Sequence, residues 1–253
     1  MIRTDSYAGR LALMAAHCAG MVDLVALPVW VGALIEHYRL DPQQAGGLVT
    51  LFLLGAVVAS LCCAPLLQRV PGRRVAWMGF GLATLAFLTL SRTSDYVAMA
   101  ALHAFAGLST GSALSFTHGT IGCSARPHRL FALMGAALGF FAVAFLGLVP
   151  KFVEVHGGPT LFWILAGIMA AAALVSVLAF PGPDRAPQSE GAAARLRLPR
   201  AVWFGIAGVS SMAVIQAMTF SFVERVGIER GFGASAVQGT LLALGIVNLL
   251  PAP

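Results

Sequence analysis

Residues 160–200 read TLFWILAGIMAAAALVSVLAFPGPDRAPQSEGAAARLRLPR, and the change of character at Pro181 decides how the chain is organised. The first part, Thr160–Phe180, is a charge-free apolar run of a length that crosses the hydrocarbon core of a bilayer as one helix. The second part, 181–200, is made up mostly of Pro, Gly, charged and small residues, the composition of a linker. Seven further apolar runs flank this segment: Leu11–Ile35, Ala45–Leu67, Val75–Leu90, Val97–Cys123, Leu130–Val149, Ala201–Val223 and Ala234–Leu250. Only the first of the eight contains an Asp, Glu, Lys or Arg, namely Asp23. Six runs before the linker and two after it predict an all-α polytopic membrane protein. Its parts are an N-terminal six-helix bundle over 1–180, a linker over 181–200, and two helices of a second bundle over 201–253.

Composition points the same way. Of 253 residues, 58% are hydrophobic and 10% charged, where soluble domains are about 25% charged. Mean hydropathy is +0.86. Ten acids and sixteen bases cannot cover a soluble globule of this size, and disorder and coiled coil are excluded on the same numbers. The pI of 9.8 would suit a nucleic-acid binder, but the bases are few and lie between apolar runs, so no nucleic-acid partner is expected.

Connectors between runs are short and carry helix-start signals: Asp41-Pro42 with Gln44 three positions on, and Gly158-Pro159. Basic residues set orientation. With the N-terminus inside, the inner segments hold Arg3, Arg10, Arg69, Arg73, Arg74, Arg126, Arg129, Arg185, Arg195, Arg197 and Arg200. The outer segments hold Arg39, Arg92, Lys151, Arg225 and Arg230. Eleven against five predicts a cytoplasmic N-terminus and linker, in a multi-pass protein of a bacterial inner membrane. His17 and Asp23 interrupt any signal-peptide core, so the first helix is expected to be retained. Cys18, Cys62, Cys63 and Cys123 have no C-x-x-C spacing and read as small apolar fillers, not metal ligands.

The segment LIEHYRLDPQQAGGLVTLFLLG (34–55) is weakly echoed by FVERVGIERGFGASAVQGTLLALG (222–245), with Glu36 answering Glu224 and Gly55 answering Gly245. One copy on each side of the linker is the pattern of a carrier built from parallel half-repeats. Between the second and third runs lies APLLQRVPGRRV (64–75). That turn is similar to the G-x-L-x-D-R-x-G-R-R motif of the major facilitator superfamily, through Leu66, Arg69, Gly72, Arg73 and Arg74. Gln68 stands where the motif has Asp, Ala64 where it has the first Gly, and Pro71 is an insertion. With six helices, a linker and further helices, the whole chain resembles that family. The resemblance implies a secondary transporter of a small solute. It also implies that Arg69, Gly72, Arg73 and Arg74 form a gating or topology turn, where the arginines could also meet anionic lipid. Family members carry twelve helices and this chain eight. The alternative expectation is therefore a transport-inactive remnant, or a half-transporter that needs a partner chain.

Polar residues inside spans are costly and mark function. Asp23, at the centre of the first run, is expected to be a proton-coupling group or the partner of a cationic solute. His103, Gly107, Thr110, Gly111 and Thr117 form a polar stripe on the fourth run, with His118 nearby. The seventh run carries Gln216, Thr219 and Ser221 and ends at Glu224. Asp23, His103, Thr110, Gln216 and Thr219 are thus the candidate proton-coupling or solute-binding residues. They lie on the runs that line the cavity in the resembled family. His17 lies about 120° from Asp23 around its helix, so no pair between them is expected. Gly107/Gly111 and Gly135/Gly139 have G-x-x-x-G spacing, read as packing within the bundle. No G-x-x-x-x-G-K-[ST] loop is present, so no nucleotide cofactor is expected, and no metal either. An intramembrane enzyme is the remote reading, on Gly107-Leu108-Ser109-Thr110-Gly111. It lacks a partner His in the sixth run, a second intramembrane Asp and an H-E-x-x-H motif.

Overall fold

A computed structural model describes residues 2–67, 69–184 and 199–247; within α8 and α9, defined below, the side chains of Ala213, Glu224, Ala234, Gln238 and 244–247 are not described. Most of the linker, Gln68, the Glu224 side chain and the surroundings of Gly245 therefore lie outside the described residues. Among those described there is helix and no strand.

All eight runs form helices. The first gives two, α1 (Tyr7–Gly20) and α2 (Val22–Glu36). The others are α3 (Pro42–Cys63), α4 (Gly72–Leu90), α5 (Tyr96–Gly122), α6 (Pro127–His156), α7 (Pro159–Ala179), α8 (Arg200–Glu229) and α9 (Ala234–Val247). Among the described residues, six stretches are long and apolar enough to cross a membrane, α1 and α2 counting as one. The chain is an all-α polytopic membrane protein.

Helix starts follow the local chemistry. At α3 the Asp41 carboxylate accepts from the Gln44 amide at 2.7 Å, and the Asp41 amide donates to the Gln44 side chain at 3.2 Å. That reciprocal box satisfies two of the donors a helix N-terminus leaves unpaired. Arg39, at φ 55, turns the chain into it. Asp95 caps α5 through the Ala98 amide, and Pro159 occupies the first turn of α7.

The first run departs from a single continuous helix. Met21 leaves helical geometry at φ −104, ψ 20, and the Leu24 amide bonds back to the Met21 carbonyl at 3.2 Å, a tightened turn. Asp23 lies two residues past the break. A short carboxylate at this position can offer nearby amides an alternative to the helical ladder. The outcome is an acid in the first turn of α2, where the helix dipole favours negative charge.

The bundle is organised around α5, which packs against α3 and α4, while α4 packs against α7 and α1 against α7. Glycines make the α3–α5 contact close. A Cβ on Gly107 would overlap the Phe52 backbone, one on Gly111 would sit 2.5 Å from Ala56 Cα, and one on Gly55 2.5 Å from the Ala104 carbonyl. The Gly107/Gly111 pair thus packs within the bundle. Trp30, Phe52, Phe87 and Phe162 fill the centre, with Trp30 edge-on to each of the others at 5.2–6.4 Å. Beyond this core, α8 packs against α2 and α9 against α6.

Candidate functional site

Where α8 meets the bundle, a cavity of about 240 Å³ opens between α2, α6 and α8. Leu24 and Val25 supply one wall, Gly135, Leu138, Gly139, Ala142 and Leu146 a second, and Gln216 with Phe220 the third. Gly135 has no atom within 4 Å of where a Cβ would be. In α6, then, Gly135 and Gly139 wall a cleft; Gly135 seats no neighbouring helix, unlike the expectation for it, whereas Gly139 is buried.

Asp23 immediately precedes cavity-lining Leu24 in the first turn of α2 and is half-buried. Gln216 reaches the cleft from α8, whereas Thr219 is exposed on α8 and lines none of the cavities described here. Along the same α2–α6 seam, toward the helix C-termini, lies a second cavity of about 190 Å³. Its rim carries Glu36, His37, Lys151 and Glu154, with Ile228, Val237 and Leu241 from the α8–α9 side. No ion pair forms among these charged groups.

The polar stripe of α5 is differently placed. His103 is fully buried. Trp30 Nε1–H donates to its Nε2 at 3.2 Å, and its Nδ1 lies 2.7 Å from the Met99 carbonyl. An indole only donates and a carbonyl only accepts, so the ring is the neutral Nδ1–H tautomer with both nitrogens engaged. Ser109, Ser112, Ser115, Thr117 and Thr120 each donate to the carbonyl four residues back. Thr110 is buried beside α7, its hydroxyl 4.0 Å from the Met169 sulfur. His103, Gly107, Thr110 and Gly111 thus face α2, α3 and α7.

A pair that sequence reasoning missed ties α1 to α5. His17 Nδ1 lies 3.0 Å from His118 Nε2, with ring centroids 5.2 Å apart and Phe131 edge-on to His118. One N–H is shared between the rings. Only the presence of two intramembrane histidines hinted at it, because residues separated by 101 positions leave no local pattern.

At the α3–α4 turn the Arg73 guanidinium donates to the Val177 carbonyl of α7. Arg69 and Gly72 border a cavity of about 410 Å³ with Phe116, Gly119, Thr120 and Pro183. A Cβ on Gly72 would touch Phe180 and Thr120 at 3.4 Å. Arg74 is exposed. The turn therefore rests on the ends of α5 and α7.

On the same membrane face, the Asp184 carboxylate accepts from the Thr4 amide and hydroxyl and from the Ala125 amide. Gly182 N–H donates to the Ile2 carbonyl at 3.2 Å. Together these hold the start of the linker against the N-terminus and the α5–α6 turn. Partial desolvation opposes ionisation of Asp184, but the bonds from Thr4 and Ala125 and the charge of Arg3 outweigh it and hold the carboxyl below its ordinary range.

Among the described residues, no group of three His, Cys, Asp or Glu side chains converges as a metal site would require. The family model of the Major Facilitator Superfamily matches residues 12–252. No curated protein matches the chain.

Proposed function

The chain belongs to the Major Facilitator Superfamily, a family of membrane transporters and not of enzymes, and we propose that it moves a small solute through the cleft between α2, α6 and α8, with proton coupling at Asp23. The observation that carries this reading is the glycine-walled cavity of about 240 Å³ between the N-terminal bundle and α8. A pocket that is mostly apolar with one amide suits a solute with an apolar body and a single hydrogen-bonding group. The broken first span supports the role of Asp23. Irregular backbone inside a membrane is tolerated where it lines a cavity or is buried in protein, and discontinuous helices mark the binding sites of many carriers. An acid in that turn can take up a proton when the cleft faces one side of the membrane and release it when the cleft faces the other.

The test is flux in proteoliposomes under an imposed pH gradient, with a panel of amphipathic solutes and a pH-sensitive dye inside. Asp23→Asn should fold and bind detergent as the parent does, yet lose proton movement linked to solute. Unchanged coupled flux in that variant removes Asp23 from the mechanism.

A further inference from the structure

Two of the three helices that wall the cleft carry a proline in their interior, Pro28 in α2 and Pro150 in α6. A proline has no N–H, so each removes the donor that the carbonyl four residues earlier would use inside its helix. Those carbonyls belong to Leu24 and Leu146, and both residues line the cleft of about 240 Å³. No turn, cap or side chain among the described residues donates to either of them. Leu146 is 1% exposed, and a buried acceptor left without a donor is destabilising.

The two prolines also stand at the same place along the α2–α6 seam. On α2 the cleft holds Leu24 and Val25, and the outer cavity begins at Val29. On α6 the cleft ends at Leu146, and the outer cavity begins at Pro150. One cavity thus gives way to the other at Pro28 on one helix and at Pro150 on its neighbour. Helix carbonyls point along the axis toward the C-terminus, so those of Leu24 and Leu146 are directed from the cleft toward this junction. A carbonyl released by proline resembles those at the C-terminal end of a helix, which carry partial negative charge. Interrupted membrane helices use such groups to hold cations. From α8, Gln216 brings a side-chain carbonyl to the same cleft. Three acceptors match the three N–H groups of a primary ammonium. A quaternary ammonium has no N–H to offer them, and a carboxylate would set oxygen against oxygen.

We propose that the carbonyls of Leu24 and Leu146, released by Pro28 and Pro150, are the hydrogen-bond acceptors of the cleft, and that with Gln216 they hold a primary ammonium carried on an apolar body. Leu138 and Ala142 lie on the wall that would meet that body. The inference rests on the reading of this cleft as the solute site.

The test measures binding of hexylammonium and of hexyltrimethylammonium to the full chain in nanodiscs by calorimetry, with empty nanodiscs subtracted. The parent should bind hexylammonium more tightly. Pro28→Ala and Pro150→Ala each return an N–H to the helix, which closes the bond to Leu24 or Leu146 and takes that acceptor from the ligand. Each should lower the preference for hexylammonium about tenfold, the effect of one hydrogen bond to a charged group. Hexyltrimethylammonium binding should hardly change. The unfolding midpoint should stay at or above that of the parent, because proline is the least stable residue inside a helix. A proline that only shapes the cleft would, on replacement, weaken both ligands alike, and that result overturns the proposal. So does a parent that binds the two cations equally, or neither of them. Flux of hexylammonium into proteoliposomes is read separately. The expected selectivity without such flux would leave the carbonyl site standing and count against transport through the cleft. Flux with a selectivity that neither substitution moves would do the opposite.

Discussion

Helix α5 and the cleft beside α8 both bring polar groups into the membrane, and the structure treats them in opposite ways. In α5 the hydroxyls of Ser109, Ser112, Ser115, Thr117 and Thr120 close onto their own helix. His103 is consumed by Trp30 and Met99 inside an aromatic core. In the cleft, Gln216 faces open space walled by Gly135 and Gly139, with Asp23 at the adjoining helix break. A hydroxyl or imidazole whose bonds are already made inside the bundle is spoken for, whereas an amide facing open space, as Gln216 does, is available to a solute. That difference is why the proposed solute path runs through the cleft and not along the α5 stripe.

The same substitution made in the two regions should break the comparison if it is wrong. Gly107→Leu drives a side chain into the Phe52 backbone. Overpacking a core typically destabilises by about 1–3 kcal/mol, and overlap with backbone exceeds that range, so little folded protein should survive size-exclusion chromatography. Gly135→Leu enters empty space and should leave thermal stability within about 0.5 kcal/mol while lowering flux. Normal folding of the first variant or collapse of the second would reverse the assignment of the two regions.

A smaller effect is expected at the core's polar bond. Trp30→Phe keeps the aromatic packing but strands His103 Nε2 without its donor, a loss of about 1–3 kcal/mol, read as a lower midpoint on heating in detergent. Flux should persist, because the bond lies outside the cleft. Smallest is the pH response of the Asp184 tether. Its carboxyl sits below the ordinary value of 3.8 when folded. Its contribution is therefore complete at neutral pH and is lost as pH falls through and below that value. Asp184→Asn should flatten this acid limb of the stability profile and leave the neutral region nearly unchanged. An identical acid limb in the variant would show that the tether does not contribute.

Much of the fold was legible because it rests on local signals. Asp41 with Gln44 specified the start of α3, Pro159 that of α7, and each uncharged run became a helix. Asp23 stood out as the one charge in a span, but the break at Met21 beside it leaves no mark in the spacing of apolar residues. The candidate site was less legible. Gly107/Gly111 and Gly135/Gly139 have identical spacing, yet Gly107 and Gly111 meet a helix while Gly135 faces open space. Lipid, protein and open space all face small apolar residues, so periodicity cannot tell them apart. Trp30–His103 and His17–His118 join positions 73 and 101 residues apart, and only tertiary packing brings them together.

Water access at matched positions tests the distinction most directly. In a background with Cys18, Cys62, Cys63 and Cys123 replaced, Gln216→Cys, Gly135→Cys and Thr110→Cys would each be reacted with a membrane-impermeant maleimide in reconstituted vesicles. Labelling at 216 and 135 with protection at 110 is the predicted result. Equal protection at all three, or faster labelling at 110, would contradict the placement of the solute path between α2, α6 and α8.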